Sequence, residues 1–180
     1  MYTKRDYESN DGMLTTVWGA SQWHFLHTMS FNYPTHPTEM QKKAYRNYMI
    51  NLKHVLPCGK CRNNLKENYK KLPLHMSCMR NRETFSKYVY DLHELVNDML
   101  GKKSGLTYDQ VRERYEHFRS RCTKTKRELL KKRRTLKKEK GCTEPLVGEK
   151  SKCILKIVPE KTKCESFTMD KKCVKTKLSS

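Results

Sequence analysis

From Asn81 to Gly101 the chain reads NRETFSKYVYDLHELVNDMLG, and Phe85, Tyr88, Val89, Leu92, Leu95, Val96, Met99 and Leu100 recur at intervals of three and four. That spacing gathers the apolar groups on one face of an α-helix of about five turns, with the charged groups opposite. A face so wide has to be buried against other elements, and the rest of the chain offers helices rather than strands to bury it. Residues 18–33, WGASQWHFLHTMSFNY, place Trp18, Phe25 and Met29 on one stripe and Trp23, Leu26 and Ser30 on the next. This reads as a core helix stopped at Tyr33 and Pro34.

Thr38 and Gln41 form a capping-box pattern that starts a second helix carrying Met40, Tyr45, Tyr48, Met49, Leu52 and Val55 until Pro57. A third begins at Cys58 and runs to Pro73, with Leu65 and Tyr69 as its apolar anchors one turn apart. Gly101 ends the helix of 81–100, and Thr107 with Gln110 opens a last one carrying Val111, Tyr115 and Phe118. Without any persuasive alternating segment, the expected class is all-α: a four-helix bundle plus a short fifth helix.

After Cys122 the pattern gives out. Residues 123–180 hold 19 Lys and Arg against 7 Asp and Glu, so more than half of the chain's net charge of +20 lies there. The segment 123–141 has the leucines of a basic helix but few positions that could pack. The whole stretch, with Cys142, Cys153, Cys164 and Cys173, reads as a basic, largely disordered tail. The expected organisation is a flexible N-terminus at 1–13, a helical domain at 14–122 and the tail at 123–180.

The opening MYTKRDYESNDGM has no apolar stretch of signal-peptide length, and no run long enough to span a membrane occurs. Eight cysteines in such a chain point to metal binding or redox chemistry rather than to a disulfide scaffold.

The cysteine pair in LPCGKC, Cys58 and Cys61, stands at the start of the third helix. By itself a C-x-x-C is compatible with half a zinc site, a structural clip or a working redox centre. Zinc needs a second cluster of ligands, and His75, Cys78 and Cys122 form no paired knuckle. A thioredoxin-like domain needs a βαβ context, whereas the chain before Cys58 reads helical.

The ordered set Trp18-Gly19-x-x-x-Trp23-x-x-Leu26-His27, Tyr33-Pro34, Cys58-x-x-Cys61 and His93-x-x-x-Asn97-x-x-Leu100-Gly101-Lys102 resembles the Erv/ALR family of FAD-linked sulfhydryl oxidases, in the branch found in large DNA viruses. The resemblance covers about residues 14–119 and none of the tail. It implies an FAD-dependent thiol oxidase that forms disulfides in proteins, passing electrons from a C-x-x-C disulfide through FAD to oxygen with release of hydrogen peroxide. Cys58 would face the incoming thiol and Cys61 the flavin. Gly19, Trp23, His27, Tyr33, His93, Asn97, Lys102, Arg114 and Tyr115 are the residues that the resemblance assigns to FAD, and no metal is implied. Protein dithiols or a thioredoxin-like intermediary would be the substrates, a homodimer the assembly, and host cytoplasm or the virion the location.

Three departures from the family pattern stand out. The places of a second, structural cysteine pair hold Tyr90 and, allowing one inserted residue, Tyr108. The family's frequent His-Asn step is here His93-Glu94. No closely spaced shuttle dithiol occurs in the tail, which leaves Cys78 and Cys122 as candidates for a relay or an accessory disulfide. The competing expectation is a basic helical protein that binds zinc, or nucleic acid through phosphate contacts, without catalysis.

Overall fold

The computed structural model describes residues 3–119. Cys122, the basic segment 123–180 and its four cysteines lie outside the described residues. Among the described residues the elements are α1 (Lys4–Tyr7), α2 (Thr15–Phe31), α3 (Glu39–Val55), α4 (Gly59–Lys71), a 3-10 turn (Met76–Met79), α5 (Arg82–Met99) and α6 (Tyr108–Glu116), with no strand. The fold is therefore all-α, as the periodicity requires. Residues up to Arg112 form one compact unit, and the described residues from Glu113 belong to a second.

Local chemistry sets most of the helix ends. Thr38 caps α3 by accepting from Gln41 N while the Gln41 side chain accepts from Thr38 N, and Asn81 with Thr84 does the same for α5. Cys58 itself is the N-cap of α4, its sulfur accepting from Cys61 N. Thr107 and Gln110 close the start of α6. Past α5, Gly101 takes φ of 66°, a left-handed conformation that costs glycine little.

α2 starts at Thr15, three residues before the first tryptophan. The start is held from outside the helix: Met13 N donates to Pro57 O at 2.7 Å, and Trp18 Nε1 donates to Met13 O at 3.1 Å. A side chain on Gly12 would come within 2.9 Å of Pro57 O and 3.0 Å of Cys58 Cα, so only glycine lets this strand of backbone lie against the turn before α4.

The inner face of α2 is Leu26, His27, Ser30 and Phe31, whereas Phe25 turns outward and is 52% exposed. Phe25 was expected on an apolar stripe; aromatics surround the whole helix, and periodicity alone does not choose between faces. Met40 and Val55, read onto the inner stripe of α3, are exposed for a related reason: they sit at the ends of the helix, where no neighbour covers them.

The core joins Leu26, Tyr33, Met49, Leu52, Leu65, Leu74, Met79, Phe85, Tyr88, Val89 and Leu92. Side chains inside it and at its edge also satisfy backbone carbonyls of the irregular segment between α4 and α5. Tyr88 Oη donates to Leu72 O at 2.9 Å, Tyr33 Oη to Met79 O at 2.9 Å, and Arg46 Nε to Leu74 O at 2.8 Å. Buried carbonyls without such partners would each carry a desolvation cost, so these bonds permit a loop to cross the core. Burial pushes the Tyr88 phenol well above its usual range, which keeps the donor protonated.

Tyr90 and Tyr108, which stand where the resemblance expects cysteines, meet across the α5–α6 connection. Their rings are 5.8 Å apart at 67°, edge to face. Tyr90 Oη donates to Leu106 O at 2.7 Å, and Tyr108 Oη lies 2.8 Å from Ser86 Oγ. An aromatic pair with two hydrogen bonds ties α5 to the start of α6 and depends on no oxidising agent.

Candidate active site

Cys58 and Cys61 are joined in a disulfide at the N-terminus of α4, with Cα atoms 5.1 Å apart. Both are half-buried, neither sealed in the core nor fully open. The two sulfurs have different neighbours. Cys58 Sγ accepts from Cys61 N at 3.2 Å, as an N-cap must. Cys61 Sγ lies 3.7 Å from Thr15 Oγ1 on α2. Pro57 keeps α3 from continuing into the pair, and the free N–H groups of the first turn of α4 place partial positive charge at the sulfurs. Arg62 Nη1 is tied to Leu56 O at 2.6 Å, which keeps a guanidinium beside this turn. A thiolate released here is stabilised, the condition for rapid thiol–disulfide exchange.

From Thr15 a single row runs down α2 at intervals of four: Thr15, Gly19, Trp23, His27. A Cβ placed on Gly19 would meet only the Thr15 methyl, at 3.2 Å, and open space otherwise. One turn on, Trp23 stacks on His93 of α5, with ring centroids 4.0 Å apart and planes 7° from parallel. His27 Nε2 is 2.9 Å from His93 Nδ1. Phe31, the next in the row, stacks on His27 at 6.3 Å. The row thus leads from the disulfide, past a gap left by glycine, to an aromatic and imidazole cluster held between α2 and α5.

Beside it, Gln22 Nε2, on the same side of α2 as Gly19, is buried with no hydrogen-bond acceptor. A buried amide donor without a partner is costly, and a ligand with a polar edge relieves it. A glycine gap, an unspent amide and stacked rings fit a planar, heteroaromatic cofactor such as FAD.

Burial lowers both imidazoles of the cluster, His27 to about 3, aided by repulsion from His93 and His24, and His93 to about 4, with Glu94 pulling slightly the other way. Both are neutral at physiological pH, so their shared bond is one between a donor and an acceptor tautomer. Unfolded, each titrates near 6.5. Below that pH the unfolded chain takes up protons that the folded chain refuses, so stability is lost as the pH falls from 6.5 toward about 4. The loss approaches about 1 kcal/mol per pH unit for each histidine. Urea midpoints that decline between about pH 7 and 5 are the expected result; a flat profile would contradict neutral burial.

The other sequence-assigned residues are placed as follows. Asn97, one turn beyond His93, has its amide on Glu94 Oε1 at 3.0 Å, so the glutamate that departs from the family pattern engages the neighbouring ligand candidate. Lys102 is exposed, and its N–H donates to Asn97 O at 2.8 Å. Tyr33 is fully buried in the core against Tyr45 and Phe85, with its hydroxyl spent on Met79 O. Arg114 and Tyr115 lie on α6 in the second unit, where Tyr115 packs edge to face on Phe118. Cys78 is a free, half-buried thiol in the 3-10 turn. Thr15 and Gln22 escaped the sequence reading, although the repeated interval of four through Gly19, Trp23 and His27 extends back to Thr15. Among the described residues no group of three or more metal-ligating side chains occurs.

The profile of the Erv1 / Alr family matches residues 20–116. The chain is 39% identical over 99 residues to the probable FAD-linked sulfhydryl oxidase R368 of Acanthamoeba polyphaga mimivirus, covering 55% of this chain and 68% of that one. It is 36% identical over 84 residues to the FAD-linked sulfhydryl oxidase ERV1 of Arabidopsis thaliana, covering 47% of this chain but 42% of the plant protein. Its fold is similar to that of the yeast Erv1 core, with a TM-score of 0.52 at 23% identity, over 64% of this chain and 95% of the other.

Proposed function

The chain belongs to the Erv1/Alr family, and on that premise we propose that the Cys58–Cys61 disulfide is the centre at which it oxidises protein dithiols. It is an FAD-linked thiol oxidase, and the zinc- or nucleic-acid-binding alternative is not favoured. The observation that carries the assignment of the centre is the disulfide's place at a helix N-terminus, one end of the α2 row that leads to the Trp23, His27 and His93 cluster.

A client thiolate attacks Cys58 Sγ, a client–Cys58 disulfide forms, and the electron pair of the broken bond passes to Cys61 as a thiolate. A second client thiolate then displaces Cys58, so the client leaves oxidised and the pair is reduced. When bound, FAD would supply the two-electron acceptor that no side chain provides and the link from the reduced pair to oxygen, with hydrogen peroxide as the product. Gly19 would leave room for the cofactor, Trp23, His27 and His93 would offer it stacking surface, and Asn97 near the end of α5 and Lys102 just past it would make polar contacts. Tyr33, whose ring packs on Tyr45 and Phe85, is assigned to FAD on the family pattern, as are Arg114 and Tyr115.

The outward Phe25 and Tyr48, whose rings meet at 6.3 Å, leave an apolar patch on α2 and α3 that suits a homodimer. We place residues 14–122 as the catalytic domain, with the basic tail outside it. No described helix is long and apolar enough to cross a membrane. Likeness to a mimivirus protein supports a place in the cytoplasm of an infected host, which detection of the chain only in an exported compartment would overturn.

The purified chain is expected to sediment as a yellow dimer and to take up oxygen with an added dithiol, releasing an equivalent of hydrogen peroxide. A colourless protein that holds zinc would sink the proposal.

A further inference from the structure

We propose that Thr15 is a catalytic residue whose hydroxyl donates to Cys61 Sγ as the disulfide opens, making Cys61 the better leaving group. The inference rests on the assignment of Cys58–Cys61 as the redox pair and adds a group that the motif set does not contain. In the disulfide neither sulfur carries a proton, so across the 3.7 Å contact the hydroxyl is the donor. Sulfur accepts hydrogen bonds at longer range than oxygen, and the contact strengthens when the acceptor gains a full negative charge.

Each sulfur has a donor of its own. Cys58 is served by a backbone amide, Cys61 N, at 3.2 Å. Cys61, three residues into the same turn, is served from another helix. Thr15 is free for this task because the start of α2 is held by Met13 and Trp18, and its N-cap, Leu14, makes no side-chain capping bond. The absence of a side chain at Gly19 makes room for the Thr15 methyl, since a Cβ there would sit 3.2 Å from it. Seating the methyl in this notch leaves the hydroxyl on the side of Cys61.

The step balances without any further reactant. The client sulfur bonds to Cys58, the Cys58–Cys61 bond breaks, and its electron pair stays on Cys61 Sγ, while the proton stays on Thr15 Oγ1. A lower proton affinity of the departing sulfur speeds its departure. The same bond would hold Cys61 as a thiolate, the form that gives up electrons, after the client has gone.

The test follows Cys61 alone. In the flavin-loaded Cys58→Ser protein, alkylation of the Cys61 peptide by iodoacetamide is measured against pH by mass spectrometry, with Thr15, Thr15→Ser or Thr15→Val. A hydrogen bond to a charged group predicts that Thr15→Val raises the pH midpoint by about one unit, roughly a tenfold loss of thiolate at fixed pH. Thr15→Ser, which keeps the hydroxyl, is expected to hold the original midpoint. Thr15 is exposed, so neither change threatens the core. Coincident midpoints for Thr15 and Thr15→Val would overturn the proposal. A midpoint that shifts in the Cys58→Ser series while a separate Cys61→Ser protein keeps its turnover would remove the redox assignment, and with it the catalytic role of Thr15, while leaving the contact itself.

Discussion

Cys58→Ser and Cys61→Ser are each expected to abolish dithiol-driven oxygen uptake while the protein stays yellow. With one thiol left there is no disulfide bond for a client thiolate to break, so no mixed disulfide forms and no electrons enter. Without Cys61, a client thiol that reaches Cys58 has no intramolecular disulfide to open. Without Cys58, the half-buried Cys61 keeps its Thr15 neighbour but lacks the sulfur that meets the client. Neither sulfur belongs to the Trp23, His27 and His93 cluster, so cofactor retention is expected in both. Oxygen-electrode rates alongside flavin absorbance check this, and retained turnover in either variant would move the centre elsewhere.

His93→Ala is expected to strip the protein of its flavin with the helices intact. The imidazole supplies one face of the 4.0 Å stack with Trp23 and one end of the 2.9 Å bond to His27, so its loss leaves both without a partner at the point where the cofactor is proposed to lie. Stacking and hydrogen-bond losses of this kind, each about 1 kcal/mol, compound to a fall in affinity of roughly tenfold or more. Flavin-to-protein ratios after gel filtration, read beside circular dichroism, separate lost binding from lost folding. A full complement of flavin in this variant would remove His93 from the cofactor group.

Much of this was legible in the sequence because it is written locally. Thr38 with Gln41, Asn81, Thr107 with Gln110, and the prolines at 34, 57 and 73 mark helix ends through short-range hydrogen bonding and sterics, and the helices follow them closely. Cys58 was placed at the start of a helix and proves to be its N-cap. The orientation of α2 was harder. Its aromatics occupy every side, and which ones turn inward is decided by α5, so Phe25 and Trp23 could not be told apart by spacing. Tyr33 was assigned to the cofactor by position in a motif, whereas its burial and its bond to Met79 O depend on a chain crossing 46 residues away.

Thr15 shows the same limit from the other side. Its contact with Cys61 also spans 46 residues, and nothing near it in the sequence announces a role. Only the row through Gly19, Trp23 and His27, once seen as one face of one helix, points back to it. Likewise, two tyrosines in place of two cysteines read as a simple loss until their rings are found in contact, with Ser86 and Leu106 holding their hydroxyls.

The redox assignment is tested most directly by a disulfide map taken through one cycle. Under anaerobic conditions, excess dithiol followed by alkylation and mass spectrometry should find Cys58 and Cys61 both labelled; after removal of the dithiol and admission of air, they should again be joined to each other. A pair that stays closed under dithiol, or stays open in air while another pair of cysteines cycles, would contradict it.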